Sequence, residues 1–307
     1  MTSPPPTPSR VSVWIHGARP RTLSAGVAPV IVGTAAAGEV IWWRFGAALL
    51  VALGLQVGVN FANDYHDGVR RVDTPQRLGP PRLTSSGLAR PRSVLLAAVV
   101  AIGVAGFAGL ALAAATTWWL LPLGAVAMAA LWLYSGGPRP YAELGLGEVM
   151  VFVFFGVMAT AGSAYVNAER VSAEAWWASA SMGLLAVAIL VANNLRDIPT
   201  DAAAGRRTLA VRLGARRTRT FYRACVVGAF VVVIAAIVAN LADRGGGMPM
   251  SALIGLAAWP FAIRPFEEIG TAQGRELIGV LGATARLQLA FALLLCLGLV
   301  AAGSTGA

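Results

Sequence analysis

The sequence predicts an all-α integral membrane protein with about nine transmembrane helices. Three observations carry that prediction. Hydrophobic residues fill 57% of the 307 positions and charged residues only 12%, about half the charge density of soluble domains. Apolar runs of about 20 residues, the length a helix needs to cross a bilayer, recur along the chain. The arginines gather between alternate runs, which sets an orientation under the positive-inside rule.

Taken in order, a Pro-rich stretch from Thr2 to Ser9 opens a tail read as disordered over residues 1–12. No signal peptide is expected after it, because the first apolar run lacks a convincing cleavage site and leads into further runs. A single transmembrane domain then fills 13–307. Its spans are placed at about 22–40, 45–63, 94–114, 117–135, 147–166, 176–195, 221–241, 250–266 and 277–302. They are rich in Ala, Gly, Val and Leu, the small-residue texture that lets membrane helices approach closely. The pairs Trp42-Trp43, Trp118-Trp119 and Trp176-Trp177 fall at the outer ends of spans, where tryptophan anchors to the interface. Arg286 and Gln288 are polar positions inside the ninth span and receive no role.

With the N-terminus cytoplasmic and the C-terminus outside, 20 of the 24 basic residues lie on the cytoplasmic side. The net charge of +10 follows from that bias, so nucleic-acid binding is not needed to explain it. All 24 are arginines, and without lysine neither a Walker-type phosphate loop nor Schiff-base chemistry can be built. Cys225 and Cys296 stand alone in apolar runs, and His16 and His66 are 50 residues apart, which excludes a disulfide framework and a His-rich metal site.

Five of the six aspartates lie in two cytoplasmic connections, expected over about 64–93 and 196–220. Asn60, Asp64 and Asp67 are spaced i, i+4, i+7, one face of a helix; Asn193, Asp197 and Asp201 repeat the pattern at i, i+4, i+8. Carboxylates at a helix C-terminus oppose the macrodipole and cost about 0.3–1 kcal/mol each, so something must offset them. Mg2+ does so with carboxylates and substrate phosphates as ligands. Nearby arginines, among them Arg77, Arg82, Arg206 and Arg212, suit phosphate oxygens. Two matched acid clusters beside arginines at a membrane surface predict a metal–diphosphate site. An ion-coupled transporter is the alternative from another class, although such sites usually sit near the bilayer midplane.

The motif Asn63-Asp64-Tyr65-His66-Asp67, with Asp73 and Arg77-Leu-Gly-Pro-Pro-Arg82 after it, resembles the first motif of the UbiA superfamily of intramembrane prenyltransferases. Asn193-Asn194-Leu195-Arg196-Asp197-x3-Asp201, followed by Gly205-x2-Thr208-Leu-Ala-Val-Arg212, is similar to its second motif. Gly17-Ala-Arg19-Pro-Arg21, Arg139-Pro-Tyr141 and Gly145-x-Gly147-Glu148 extend the resemblance over about residues 13–225. Asp73 and the Gly-Pro-x-Arg tail are similar to the menaquinone branch, and Arg71 stands where many other members carry an aspartate.

The resemblance implies a UbiA-type helical bundle, with Mg2+ held by Asp64, Asp67, Asp197 and Asp201. It implies a polyprenyl diphosphate donor and an aromatic acceptor, 1,4-dihydroxy-2-naphthoate, joined with loss of CO2 and diphosphate to give demethylmenaquinol. Homogentisate, a hydroxybenzoate or a phosphorylated sugar are the alternative acceptors. Arg139 takes the place of a cationic residue that stabilises the departing diphosphate. Asn60, Asn63, Asp73, Arg77, Arg82, Asn193, Asn194, Arg196, Arg206 and Arg212 are the further substrate-site candidates. Asp67 or Tyr65 is the candidate helper in proton or carboxyl loss, and Tyr141 a candidate to stack on the acceptor. The implied setting is a multi-pass protein of a bacterial plasma membrane, with its active site toward the cytoplasm.

Overall fold

The computed structural model describes residues 9–70, 82–242 and 246–305, and within them the chain is built of helices. In order these are α1 (Arg10–Ala18), α2 (Ser24–Ala36), α3 (Trp42–Val69), α4 (Pro91–Ala115), α5 (Leu120–Ser135), α6 (Gly147–Val151), α7 (Ala159–Ala168), α8 (Ala173–Ala203), α9 (Leu209–Leu241), α10 (Trp259–Glu268) and α11 (Leu277–Thr305). A π-helical stretch, Phe152–Met158, joins α6 to α7 into one rod, and a 3-10 stretch, Met250–Ala258, leads into α10. The tail expected over 1–12 lies partly outside the described residues, as do Asp73 and Arg77; of its described part, Arg10 onward is already helical.

Among the described residues six helical rods are long and apolar enough to cross a membrane: Trp42–Val69, Pro91–Ala115, Gly147–Ala168, Ala173–Ala203, Leu209–Leu241 and Gly274–Ala302. The other three expected spans fall on shorter elements. Helix α2, with 13 residues and Pro29 inside it, is about 20 Å long, short of a hydrocarbon layer of about 30 Å. Helix α5 has 16 residues, and the 250–266 span is divided between the 3-10 stretch and α10, which contains Pro265.

The two expected connections are shorter than their polarity suggests. Helix α3 runs on to Val69, so Asp64 and Asp67 are helical; α8 continues through Pro199 to Ala203. Helix α9 starts at Leu209, where the Thr208 hydroxyl accepts from Val211 N–H as its N-cap. Only 204–208 and a break at Gly214, whose φ of 72° suits a residue without Cβ, interrupt helix between 196 and 220. Arginine is a good helix former, so this Arg-rich stretch reads as a loop by hydropathy yet propagates the helix.

Two cores organise the bundle. Val13, Phe61, Leu83, Val94 and Leu131 join α1, α3, α4 and α5. A larger core, including Val32, Met182, Leu185, Tyr222, Phe230, Phe291 and Leu295, joins α2, α8, α9 and α11. Val30, Ala48, Leu112 and Val166 stitch the halves together far from the acidic motifs. At that far end Arg44 donates to the carbonyls of Ala115 and Val166, last-turn groups of α4 and α7 that lack helical partners. Trp42, Trp118, Trp119 and Trp176 are exposed there, whereas Trp177 turns inward and donates to the Gly246 carbonyl, so it is not an interfacial anchor.

Helices cross closely where glycines meet. The π-helical Gly156 packs directly on the backbone of Gly183 in α8, beneath the Phe152 ring. Gly156→Val drives a branched side chain into that crossing and should destabilise the protein by about 1–3 kcal/mol or more. Gly103→Ala, which adds a methyl into open space, should not. Thermal unfolding midpoints of the detergent-purified variants check both outcomes.

Candidate active site

Helices α3, α5 and α8 end at one pole of the bundle, and α2, α6 and α9 begin there. Between them lies a cavity with about 810 Å³ of empty space, part of it open to the outside. Asn63 and Asp67 reach it from α3, and Asn193, Asn194, Asp197 and Asp201 from α8. The two motifs therefore meet, although more than a hundred residues separate them.

Asp67 is the junction. It is 2% exposed and accepts from Arg82 Nη2 at 2.5 Å through Oδ2 and from Arg206 Nη2 at 2.6 Å through Oδ1. Arg206 also lies 3.5 Å from Asp201, and its Nε approaches Glu143 Oε1 at 3.4 Å without hydrogen-bond alignment. Burial alone would lower the pKa of Arg206, but Asp67, Asp201 and Glu143 raise it above the ordinary guanidinium value, so it stays cationic. Glu143 is further paired with Arg70 at 2.9 Å.

The second motif is braced from within α8. Arg196 grips Asp197 with two bonds of 2.7 and 2.6 Å and donates to Asn193 Oδ1 at 2.9 Å. Asn194 donates to Glu148 Oε1 at 2.9 Å, and Glu148 is buried at the start of α6. Across the cavity Asn63 accepts from the Ser135 hydroxyl at 2.6 Å, and His66 stands behind, 3.3 Å from the same hydroxyl and edge-on to Trp132.

Several expected site residues lie elsewhere. Asp64 does not line the cavity; its two oxygens accept the backbone N–H groups of Leu83 and Thr84 at 2.7 and 2.9 Å, anchoring the segment that carries Arg82. Gly68 lets that segment press against α3, where a Cβ would meet Thr84. Asn60 is buried and donates to the Ala18 carbonyl at 2.9 Å, tying α3 to the end of α1. Tyr65 packs against the core of α1, α3, α4 and α5. Arg139 is exposed in the turn after α5, outside the cavity lining. Arg212 is exposed and donates to the Arg207 carbonyl at 2.8 Å, against the bare face of Gly145. Tyr141 packs edge-on behind Tyr134, the ring that lines the cavity, and burial pushes its hydroxyl pKa up.

The cavity also holds Arg19, Ser135, Glu143, Thr200 and Thr208, which sequence reasoning did not select. Glu143 was within reach, because only 14 acids exist and it sits two residues after Tyr141. Counting aspartates alone missed it. Arg19 is held in a left-handed conformation at φ 53° between α1 and α2, a position no sequence pattern announces.

The donor set fits Mg2+ and phosphate. Among the described residues no three acidic, cysteine or histidine side chains close on one point as a ready metal cage. Mg2+ seldom needs one, being held by one or two carboxylates plus water and substrate phosphates. Asp67, Asp197 and Asp201 supply carboxylates, and Arg19, Arg82 and Arg206 line the same cavity with phosphate-binding forks.

Known proteins agree with this architecture. The chain is 45% identical over 284 residues to the 1,4-dihydroxy-2-naphthoate octaprenyltransferase of Mycobacterium tuberculosis, covering 91% of this chain and 94% of the relative. It is 37% identical over 236 residues to the Escherichia coli protein of the same name, covering 73% and 75%. In fold it is similar to a UbiA homolog from Aeropyrum pernix, with a TM-score of 0.66, 17% identity, and 91% and 97% of the two chains covered. A UbiA homolog from Archaeoglobus fulgidus bound to GPP and Mg2+ aligns with a TM-score of 0.65 at 14% identity, covering 93% and 99%. Residues 26–268 match the UbiA prenyltransferase family, and this multi-pass membrane protein belongs to it.

Proposed function

We propose that this prenyltransferase moves a polyprenyl group from polyprenyl diphosphate to 1,4-dihydroxy-2-naphthoate, releasing CO2 and diphosphate and forming demethylmenaquinol. One observation carries the reading: both acidic motifs open into a single cavity that also presents three arginines. The acceptor follows from the names of the relatives at 45% and 37% identity. The setting proposed is a bacterial plasma membrane crossed nine times, with the N-terminus and the cavity toward the cytoplasm and the C-terminus outside. The concentration of arginine at one pole supports that orientation.

In this reading Asp67, Asp197 and Asp201 hold Mg2+, with Asn63, Asn193 and Asn194 orienting carboxylates and substrate. Bound there, Mg2+ supplies positive charge against the oxygens of the departing diphosphate. Arg19, Arg82 and Arg206 take its remaining oxygens, the work expected of Arg139. As the allylic C–O bond breaks, its electron pair leaves with the diphosphate, and the fixed guanidinium groups stabilise the growing charge without reorganising. The allylic carbon then needs a site from which water is kept away. The electron-rich naphthoate ring attacks it, and the carboxyl leaves as CO2. Tyr134, backed by Tyr141, is the aromatic wall nearest this chemistry and the stacking partner we assign to the acceptor. Asp64 acts at one remove, by holding the segment that presents Arg82.

In membranes carrying the protein, Asp197→Ala should lower demethylmenaquinol formation by about 10²-fold or more with the fold intact. Wild-type turnover would overturn the assignment. Asp64→Ala should instead lower stability, by about 2–4 kcal/mol for two lost charge-assisted bonds, and this is read from the unfolding midpoint. Chelation of divalent cations should stop product formation and added Mg2+ restore it, followed by chromatography of the quinol product.

A further inference from the structure

A second cleft opens at the same pole, on another side of the bundle, with about 770 Å³ of empty space. Its lining includes Arg21 and Ser24 from the start of α2, Arg264 from α10, and Gly279, Gly282 and Arg286 from α11. None of these belongs to the active-site cavity. Among the described residues, Arg21 and Arg286 form no hydrogen bond or ion pair, and only Arg264 has an anionic partner, Glu268 at 2.8 Å. Three guanidinium groups thus face one cleft with a single carboxylate between them.

Arg286 is the costly member. It lies about 14 Å along α11 from Leu277, inside a helix apolar enough to span the membrane, and it is exposed on that helix. A cation placed there needs an anion or water to be tolerated. Its Nη1 points back over Gly282, toward the polar end of the helix and into the cleft. Gly279 leaves open space beside it, so the cleft floor is bare of side chains. Ser24 adds an independent sign: its hydroxyl is buried, lines the cleft and has no hydrogen-bond partner among the described residues. It stands at the N-terminus of α2, which no side chain caps and which carries partial positive charge. Ile278 and Leu289 make the rest of the wall apolar.

We propose that this cleft binds the phosphate headgroup of an acidic membrane phospholipid, clamped by Arg21, Arg264 and Arg286 with the Ser24 hydroxyl donating to a phosphate oxygen. One acyl chain lies along Leu289. The apolar wall and the position on a spanning helix favour a lipid over free phosphate, and uncompensated positive charge favours an acidic headgroup over a zwitterionic one. The site is independent of the reaction assigned to the other cavity, so failure of either assignment leaves the other standing.

The test is native mass spectrometry of the full chain, delipidated in detergent and exposed to phosphatidylglycerol, phosphatidylcholine or inorganic phosphate. Phosphatidylglycerol should be retained about tenfold better than phosphatidylcholine, and the double variant Arg21→Gln/Arg286→Gln should lose that advantage. Gly279→Leu fills the cleft from a position with free space and should also expel the lipid, with helix content unchanged by circular dichroism. Equal retention of phosphatidylcholine, displacement by equimolar inorganic phosphate, or wild-type retention in the folded Gly279→Leu variant would overturn the proposal.

Discussion

Asp67 sits between two guanidinium groups, one from Arg82 and one from Arg206, and the shape of the candidate active site depends on that contact. Its helix packs in the half of the bundle built on α1, α3, α4 and α5. Arg206 enters from the turn between α8 and α9, in the other half. A charge removed from water this far is costly unless it is paired and its lone pairs are used. The pairing therefore fixes where the α8–α9 turn can lie, and with it Asp201 and Asp197. Arg206 extends the network to Glu143, which Arg70 holds in turn, so the turn after α5 is drawn to the same point.

Around this junction the protein separates presentation from support. Asp67, Asp197, Asn63, Asn193 and Asn194 face the cavity, while Asp64, Asn60, Glu148 and Arg196 hold them or their segments from behind. Such backing matters where charge must be met by groups already in position. It also explains the use of arginine throughout. A guanidinium can grip two oxygens at once, as Arg196 does with Asp197, and keep its charge when buried among carboxylates, as Arg206 does.

The acid motifs were legible because charge is so scarce here. In a chain with 14 acids, the recurrence of Asn-x3-Asp at two helix ends stands out. What the pattern could not tell was which members of one helix face look into the cavity. Asn60, Asp64 and Asp67 share a face by spacing, but the segment at 82–84 lies over part of it and claims Asp64 through backbone N–H groups. The resemblance points to Arg139 and the neighbouring acids to Arg212, yet the turn after α5 and the first turn of α9 leave both exposed. Polarity likewise overstated the connections, since α3 stays helical through Asp64 and Asp67 and the Arg-rich start of α9 is helical too.

By itself the sequence determined that this is a helical membrane protein, where its apolar runs lie, and which two clusters carry its acids. Those are properties of composition and periodicity, which act locally and leave a trace in every turn. The tertiary structure decided which long-range partners meet: Asp67 with Arg206, Asn194 with Glu148, and the arginines of a second cleft beside an unpartnered Ser24. These depend on how helix ends converge and how closely glycines let rods cross, and buried charges allow few arrangements in which all of them are paired.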